Sequence, residues 1–113
     1  MSWSIRYFTS ERGEPLVEVF VRKQGEATIS KIMRLFDLLE LHGPQLGMPY
    51  SRYLGEGLYE LRIRARNEVR IFYICQTAAK ELVMLHAFNK RTQKLPAKDL
   101  ALARMRQRKL TQL

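Results

Sequence analysis

Apolar and polar positions change their period twice along this chain of 113 residues. Trp3 to Phe8 mixes aromatic and β-branched residues and predicts an opening strand, closed by the turn-forming run Thr9-Ser10-Glu11-Arg12-Gly13. From Pro15 the spacing becomes helical. Leu16, Val19 and Phe20 form one stripe, Gly25 interrupts it, and Ile29, Ile32, Met33, Phe36 and Leu39 recur at intervals of three and four in a second helix that His42-Gly43-Pro44 ends. Charges balance on the outer faces of both helices, which marks them as scaffold covering a sheet.

Beyond Met48 the period shortens to two. Pro49 to Leu54 predicts a short strand and Gly55-Glu56-Gly57 a turn. Leu58 to Ala65 then alternates strictly, with Tyr59, Leu61, Ile63 and Ala65 on the core side and Glu60, Arg62, Arg64 and Arg66 on the other. Arg66-Asn67 suits a tight turn, and Glu68 to Gln76 returns as the second arm of a hairpin. Glu81 to Phe88 is too apolar to alternate and predicts a strand buried on both faces. After Pro96, Ala97 to Arg108 predicts a short helix, with Arg104, Arg106, Arg108 and Lys109 exposed. These elements define an α+β fold in a single domain over residues 1–113, with two N-terminal helices on one face of an antiparallel sheet and a short C-terminal helix. A content of 46% hydrophobic residues suffices for a continuous core.

Charge divides the chain in two. Residues 1–59 carry 7 Lys/Arg and 7 Asp/Glu, whereas residues 60–113 carry 13 and 4, so the second half holds the whole net charge of +9. A basic half on a small protein concentrates positive potential and points to a polyanion. The apolar runs are short, which excludes a membrane-spanning helix, and the beginning lacks a signal pattern, so the expected location is cytoplasmic. One cysteine, Cys75, and two histidines, His42 and His86, show no metal-ligand spacing. Neither a metal nor a small-molecule cofactor is expected.

With the helices on one face of the sheet, the other would bear Arg62 and Arg64 from one strand and Arg70 from its partner, an anion site that Lys90, Arg91 and Lys94 extend. Like charges on neighbouring strands repel unless Glu60, Glu68 or a phosphate compensates. The competing structural account is surface arginines paired with nearby glutamates. RNA carries its own nucleophile, the 2′-hydroxyl, so its cleavage needs only a base, charge stabilisation of the phosphorane and neutralisation of the leaving 5′-oxygen. Arginine and lysine provide the last two through charge-assisted hydrogen bonds. Lys90 and Glu60 both stand as candidates for the base. Tyr59 and Tyr73 point to the core, and His86, alone on an apolar strand, reads as a packed residue with no assigned role.

Leu58-Tyr59-Glu60-Leu61-Arg62-Ile63-Arg64, Arg70-Ile71-Phe72-Tyr73 and Leu85 to Pro96 resemble, in order and spacing, the signatures of HigB-type toxins in the RelE/ParE superfamily. Within the last segment, Phe88-Asn89-Lys90-Arg91-Thr92-Gln93-Lys94-Leu95-Pro96 resembles the phage-derived branch. The resemblance implies a microbial-RNase-like fold and ribosome-dependent cleavage of mRNA. It also implies a HigA-like helix-turn-helix antitoxin as partner, beside the ribosome and its mRNA. Arg62, Arg70, Lys90 and Arg91 match basic positions of the family site. Arg64 joins them by location as catalytic, and Glu60, Arg66, Phe88 and Lys94 are expected to contact RNA. Two departures stand out: RelE has two lysines where this chain has Glu60 and Arg62, and the tyrosine of its C-terminal segment has no counterpart near Pro96. The alternatives are a non-catalytic, ParE-like inhibitor of DNA gyrase and a phage-derived RNA-binding module without activity.

Overall fold

A computed structural model describes residues 2–94 and 96–111. The chain runs β1 (Ser4–Tyr7), α1 (Leu16–Arg22), α2 (Glu26–His42), a 3-10 turn (Gly43–Gln45), β2 (Ser51–Gly55), β3 (Leu58–Ile63), β4 (Val69–Gln76), β5 (Glu81–Asn89) and α3 (Ala97–Thr111). The five strands form one sheet in the order β1-β5-β4-β3-β2. Strands β2 to β5 are the expected antiparallel meander, whereas β1 joins the far edge parallel to β5, with Ser4 opposite Glu81 and Tyr7 opposite Met84. The run through α1 and α2 carries the chain from one edge of the sheet to the other, which permits that parallel pairing.

Both N-terminal helices lie on one face, as expected, but α1 buries Val17 and Val21 and leaves the expected stripe of Leu16, Val19 and Phe20 half-buried. Val17 and Val21 of α1 and Ile32, Leu35, Phe36 and Leu39 of α2 pack against Leu61, Ile63, Val69, Ile71, Tyr73, Leu82, Met84 and Ala87. Leu35 takes a core position, while Met33, read into the stripe from its spacing, is 40% exposed. Helix α2 stops at Gly43, whose φ of +60° suits glycine and where a Cβ would collide with the Trp3 indole. Trp3 is tied there by its N–H donating to Glu40 O at 2.7 Å.

The opposite face is not free. Helix α3 lies across part of it, closing a second core of Leu58, Phe72, Ile74, Val83, Leu85 and Ala103 with Phe8, Leu54, Phe88, Leu100 and Leu110 at its margin. Strand β4 is therefore covered on both sides. Its docking is largely polar: Arg104 Nη1 donates to Gly55 O at 3.1 Å, Arg106 Nη1 to Leu85 O at 2.7 Å, and Gln107 Nε2 to Glu56 O at 2.7 Å. Arg104 and Arg106 are thus half-buried anchors and not the exposed cations that the weak amphipathicity of this segment suggested. Arginine stems cover apolar surface while the guanidinium finds backbone carbonyls, a docking mode that leaves little hydrophobic period in the sequence.

A bulge decides which face the end of β5 serves. The β4–β5 register shifts between Phe72, opposite His86, and Tyr73, opposite Met84. Leu82 and Met84 face α1 and α2, but beyond the shift Ala87 takes that side, and Phe88 joins Val83 and Leu85 on the face of α3. One extra residue therefore re-aims the strand end, as bulges do. The segment shows no alternation because both of its faces are covered, Leu82 and Met84 by one pair of helices and Val83 and Leu85 by α3.

Ile71 is fully buried in the first core. Ile71→Ala is expected to lower unfolding stability by about 2–5 kcal/mol, the range for such truncations, read as a reduced urea midpoint at unchanged denaturant slope.

Candidate nucleic-acid site

Two strand registers bring six side chains together on the second face, running from the part that α3 covers to the part that it leaves open. Arg62 stands opposite Arg70, Glu60 opposite Phe72, Arg70 opposite Phe88 and Phe72 opposite His86. Facing residues of an antiparallel pair point to the same side, so these pairs form a contiguous block across β3, β4 and β5.

Two arginines share one carboxylate at its centre. Glu60 Oε1 lies 3.3 Å from Arg62 Nε, and its Oε2 lies 3.6 Å from Arg70 Nε; the Glu60 side chain is 8% exposed. Arg70 Nη2 also pairs with Glu68 Oε2 at 3.4 Å. The Arg70 side chain is only 5% exposed, against 19% for Arg62 and 36% for Glu68. Despite these ion pairs, Arg62 Nε and Arg70 Nε and Nη1 are buried and donate no hydrogen bond. Buried guanidinium donors left in that state are costly and favour an added acceptor. The cluster therefore combines the two accounts that the sequence left open: both glutamates compensate the arginines, and donor capacity is left over.

The remaining basic residues gather around it. Lys90 N donates to Glu68 O at 2.9 Å, continuing the β4–β5 ladder by one residue and holding the half-buried Lys90 across from Glu68. Arg91 and Lys94 are exposed on the loop before α3, Arg66 is exposed in the β3–β4 turn, and Arg64 is exposed just beyond the end of β3. Arg64 is consequently not a strand residue beside Arg62, although its alternation predicted that; the strand ends at Ile63 and Lys31 Nζ donates to Arg64 O at 3.0 Å. Phe88 stacks on the His86 ring at 5.7 Å and meets Phe72 at 5.3 Å, so it is packed into the block and not a free platform. Tyr73 lies buried on the other face, hydrogen-bonded to Ser51 Oγ, and stacks on Tyr59 at 5.3 Å. Burial raises the pKa of both tyrosines, which fits Tyr73 in the core and the half-buried Tyr59 packed against it.

His86 has a defined role that its sequence context hid. Nε2 is 2.7 Å from Asp99 Oδ1 on the first turn of α3, and Nδ1 is 3.4 Å from Arg106 Nη1. A guanidinium only donates, so Nδ1 accepts and the proton resides on Nε2, which donates to Asp99. Burial lowers the His86 pKa, with Arg106 acting in the same sense and Asp99 in the opposite one. Both ring nitrogens are occupied, so the imidazole latches α3 to β5 and is not open to a substrate. The helical signal at Asp99 is an acidic residue in a first turn; nothing local in the sequence links it to His86. Among the described residues no group of three or more His, Cys, Asp or Glu side chains is arranged to hold a metal ion, and no helix is long and apolar enough to cross a membrane.

This architecture has a solved counterpart. The fold matches that of the E. coli toxin RelE, a mutant form in its free state, with a TM-score of 0.61 over 89% of this chain and 97% of that chain, at 11% sequence identity. The RelE-like α+β fold expected from the sequence is thus established. More narrowly, residues 13–108 match the family of phage-derived, Gp49-like proteins, and the chain belongs to that family. The family match covers most of the chain, and the structural match shows the fold it takes; neither distinguishes a HigB-type branch. No curated protein matches the sequence.

Arg70 is a buried member of an ion cluster and not a surface guanidinium. Arg70→Ala leaves the buried Glu60 with Arg62 as its remaining partner and is expected to lose about 3–5 kcal/mol, as for other broken buried pairs. The paired change Glu60→Leu with Arg70→Met is expected to recover most of that loss; urea unfolding of the three proteins measures both effects. A second expectation concerns pH. Because the fold lowers the His86 pKa, the unfolded chain binds the extra proton first as pH falls below about 6.5. The stability that the neutral imidazole contributes is complete above that value and is lost as pH falls through the native pKa. His86→Gln should flatten this component of the unfolding midpoint between pH 7.5 and 5.

Proposed function

We propose that this chain is the toxin of a type II toxin-antitoxin system, a HigB-type member of the phage-derived branch, and acts as a ribosome-dependent, metal-independent mRNA endoribonuclease. The reading takes residues 1–113 as one toxin domain acting in the cytoplasm. The observation that carries it is the buried Arg70, wedged between Glu60 and Glu68 with two guanidinium nitrogens that donate no hydrogen bond. A scissile phosphate has the oxygens to accept from them once it displaces the flanking carboxylates, and the four exposed basic residues Arg64, Arg66, Arg91 and Lys94 supply the field that draws it in.

In this mechanism the RNA 2′-hydroxyl attacks its own phosphorus and the P–O5′ bond breaks. Arg70 and Arg62 stabilise the phosphorane through charge-assisted donation, and Lys90 and Arg91 neutralise the leaving 5′-oxygen. Both oxygens of Glu60 are engaged by arginines, so it orients them. Of the two carboxylates, Glu68 has the exposure to reach the 2′ proton, beside Lys90. Arg64 holds the message as it leaves the block, and Arg66 and Lys94 grip its flanking phosphates. Phe88 buttresses the guanidiniums through its packing on Phe72 and His86. A HigA-like helix-turn-helix antitoxin is the expected neutralising partner.

Induced expression tests the reading. Arrest of translation with cuts inside codons of ribosome-bound message supports it, DNA damage signalling would transfer it to a ParE-like gyrase inhibitor, and unaffected growth would leave an inactive RNA-binding module. Lys90→Ala with Arg91→Ala should slow cleavage on programmed ribosomes by roughly 10²-fold or more, the scale of losing donors to transition-state charge. The same variant should keep its urea midpoint, since neither side chain makes an ion pair among the described residues.

A further inference from the structure

We propose that the cleft between α2 and the open end of β3 is a subsite for one nucleotide of single-stranded RNA, adjoining the arginine cluster; only the choice of RNA as ligand rests on the function proposed above. The cleft exists because β2 begins too late to pair with all of β3. Arg62 N donates to Tyr50 O at 2.8 Å, and beyond that bond Ile63 and Arg64 have no β2 partner, Pro49 having no N–H to offer. Helix α2 passes alongside and is fastened there by Lys31 to Arg64 O.

The space measures about 270 Å³. That is below the roughly 300–1,000 Å³ of pockets for drug-sized ligands and suits a single base. Its floor is apolar, from Leu35 and Ile63, and Tyr50, 42% exposed, presents an aromatic ring at its mouth. Lys31, Arg34, Arg62 and Arg64 form its rim, and no carboxylate lines it. Four cations around an apolar, ring-bearing cleft match a unit that is flat and apolar on its faces and anionic at its edge, which is a nucleotide. Three of the four are guanidiniums, which stack on bases and fork onto phosphates.

Continuity with the cluster decides between RNA and an acidic protein segment. Arg62 both lines the cleft and pairs with Glu60 beside Arg70. A polynucleotide repeats base and phosphate at every step, so a strand whose phosphate rests on Arg62 and Arg70 delivers a neighbouring base into the cleft. An acidic peptide would satisfy the rim without any use for that register.

The test uses the full chain and a 2′-O-methyl RNA trinucleotide, which cannot be cleaved, read by fluorescence anisotropy. Tyr50→Leu and Arg34→Ala, both at exposed positions, should each weaken its binding by about five- to tenfold, the lower range for losing one base stack or one phosphate contact. A 4-thiouridine in the same probe should crosslink to Tyr50. Unchanged affinity in both variants, or a crosslink only elsewhere, overturns the subsite even if the chain cleaves mRNA. Binding and crosslinking as expected uphold it even if the chain proves not to cleave. Loss of affinity for a Glu/Leu-rich peptide with RNA binding intact would make the cleft a protein-docking site and also overturn it.

Discussion

Arg62 and Arg70 face each other across adjacent strands, and the sheet tolerates this repulsion because one buried carboxylate, Glu60, lies against both guanidiniums. Much of the open face depends on that arrangement. Glu60 is two residues from Arg62 on the same strand face, so the β3 register that buries Leu61 and Ile63 also places it between the arginines. A slip of one residue would turn the arginines toward α1 and α2 and the apolar residues toward water, so core and cluster enforce the same pairing. Glu68, at the start of the returning strand, completes the charge balance from the solvent side.

The second half of the sheet answers to a different constraint. Helix α3 has few apolar residues to bury, and it docks through arginine and glutamine donors on backbone carbonyls together with the His86–Asp99 hydrogen bond. Such a seam is directional where a hydrophobic one is not, which fixes how far α3 extends over the face and leaves the arginine block beside it open. Because each donor must reach a particular carbonyl, the seam also depends on the β5 bulge that turns the end of that strand to this side.

Much of the fold was legible because it rests on local periodicity. The α2 stripe, the β3 alternation and the Gly43 stop each report a face or an end within a few residues, and the structure keeps them. Part of the site was legible for the same reason: Arg62 and Arg70 share a face once the hairpin is recognised. Arg64 was misplaced because alternation does not say where a strand stops, and here the ladder ends at Ile63. Met33 was drawn into the core because helical spacing alone cannot say how wide the buried stripe is.

By itself the sequence determined the hairpin that opposes the two arginines, the scaffold face of α1 and α2, and the concentration of positive charge in the second half of the chain. Only the tertiary structure decided that Arg70 is buried and shared between two glutamates, that α3 closes part of the face read as free, and that His86 latches this helix. It also decided the parallel addition of β1 and the cleft beside Tyr50. The physical reason is range: periodicity encodes which side of its own element a residue occupies. Burial of a charge, a bulge in one strand and the partner of a lone histidine depend on atoms brought together from distant parts of the chain.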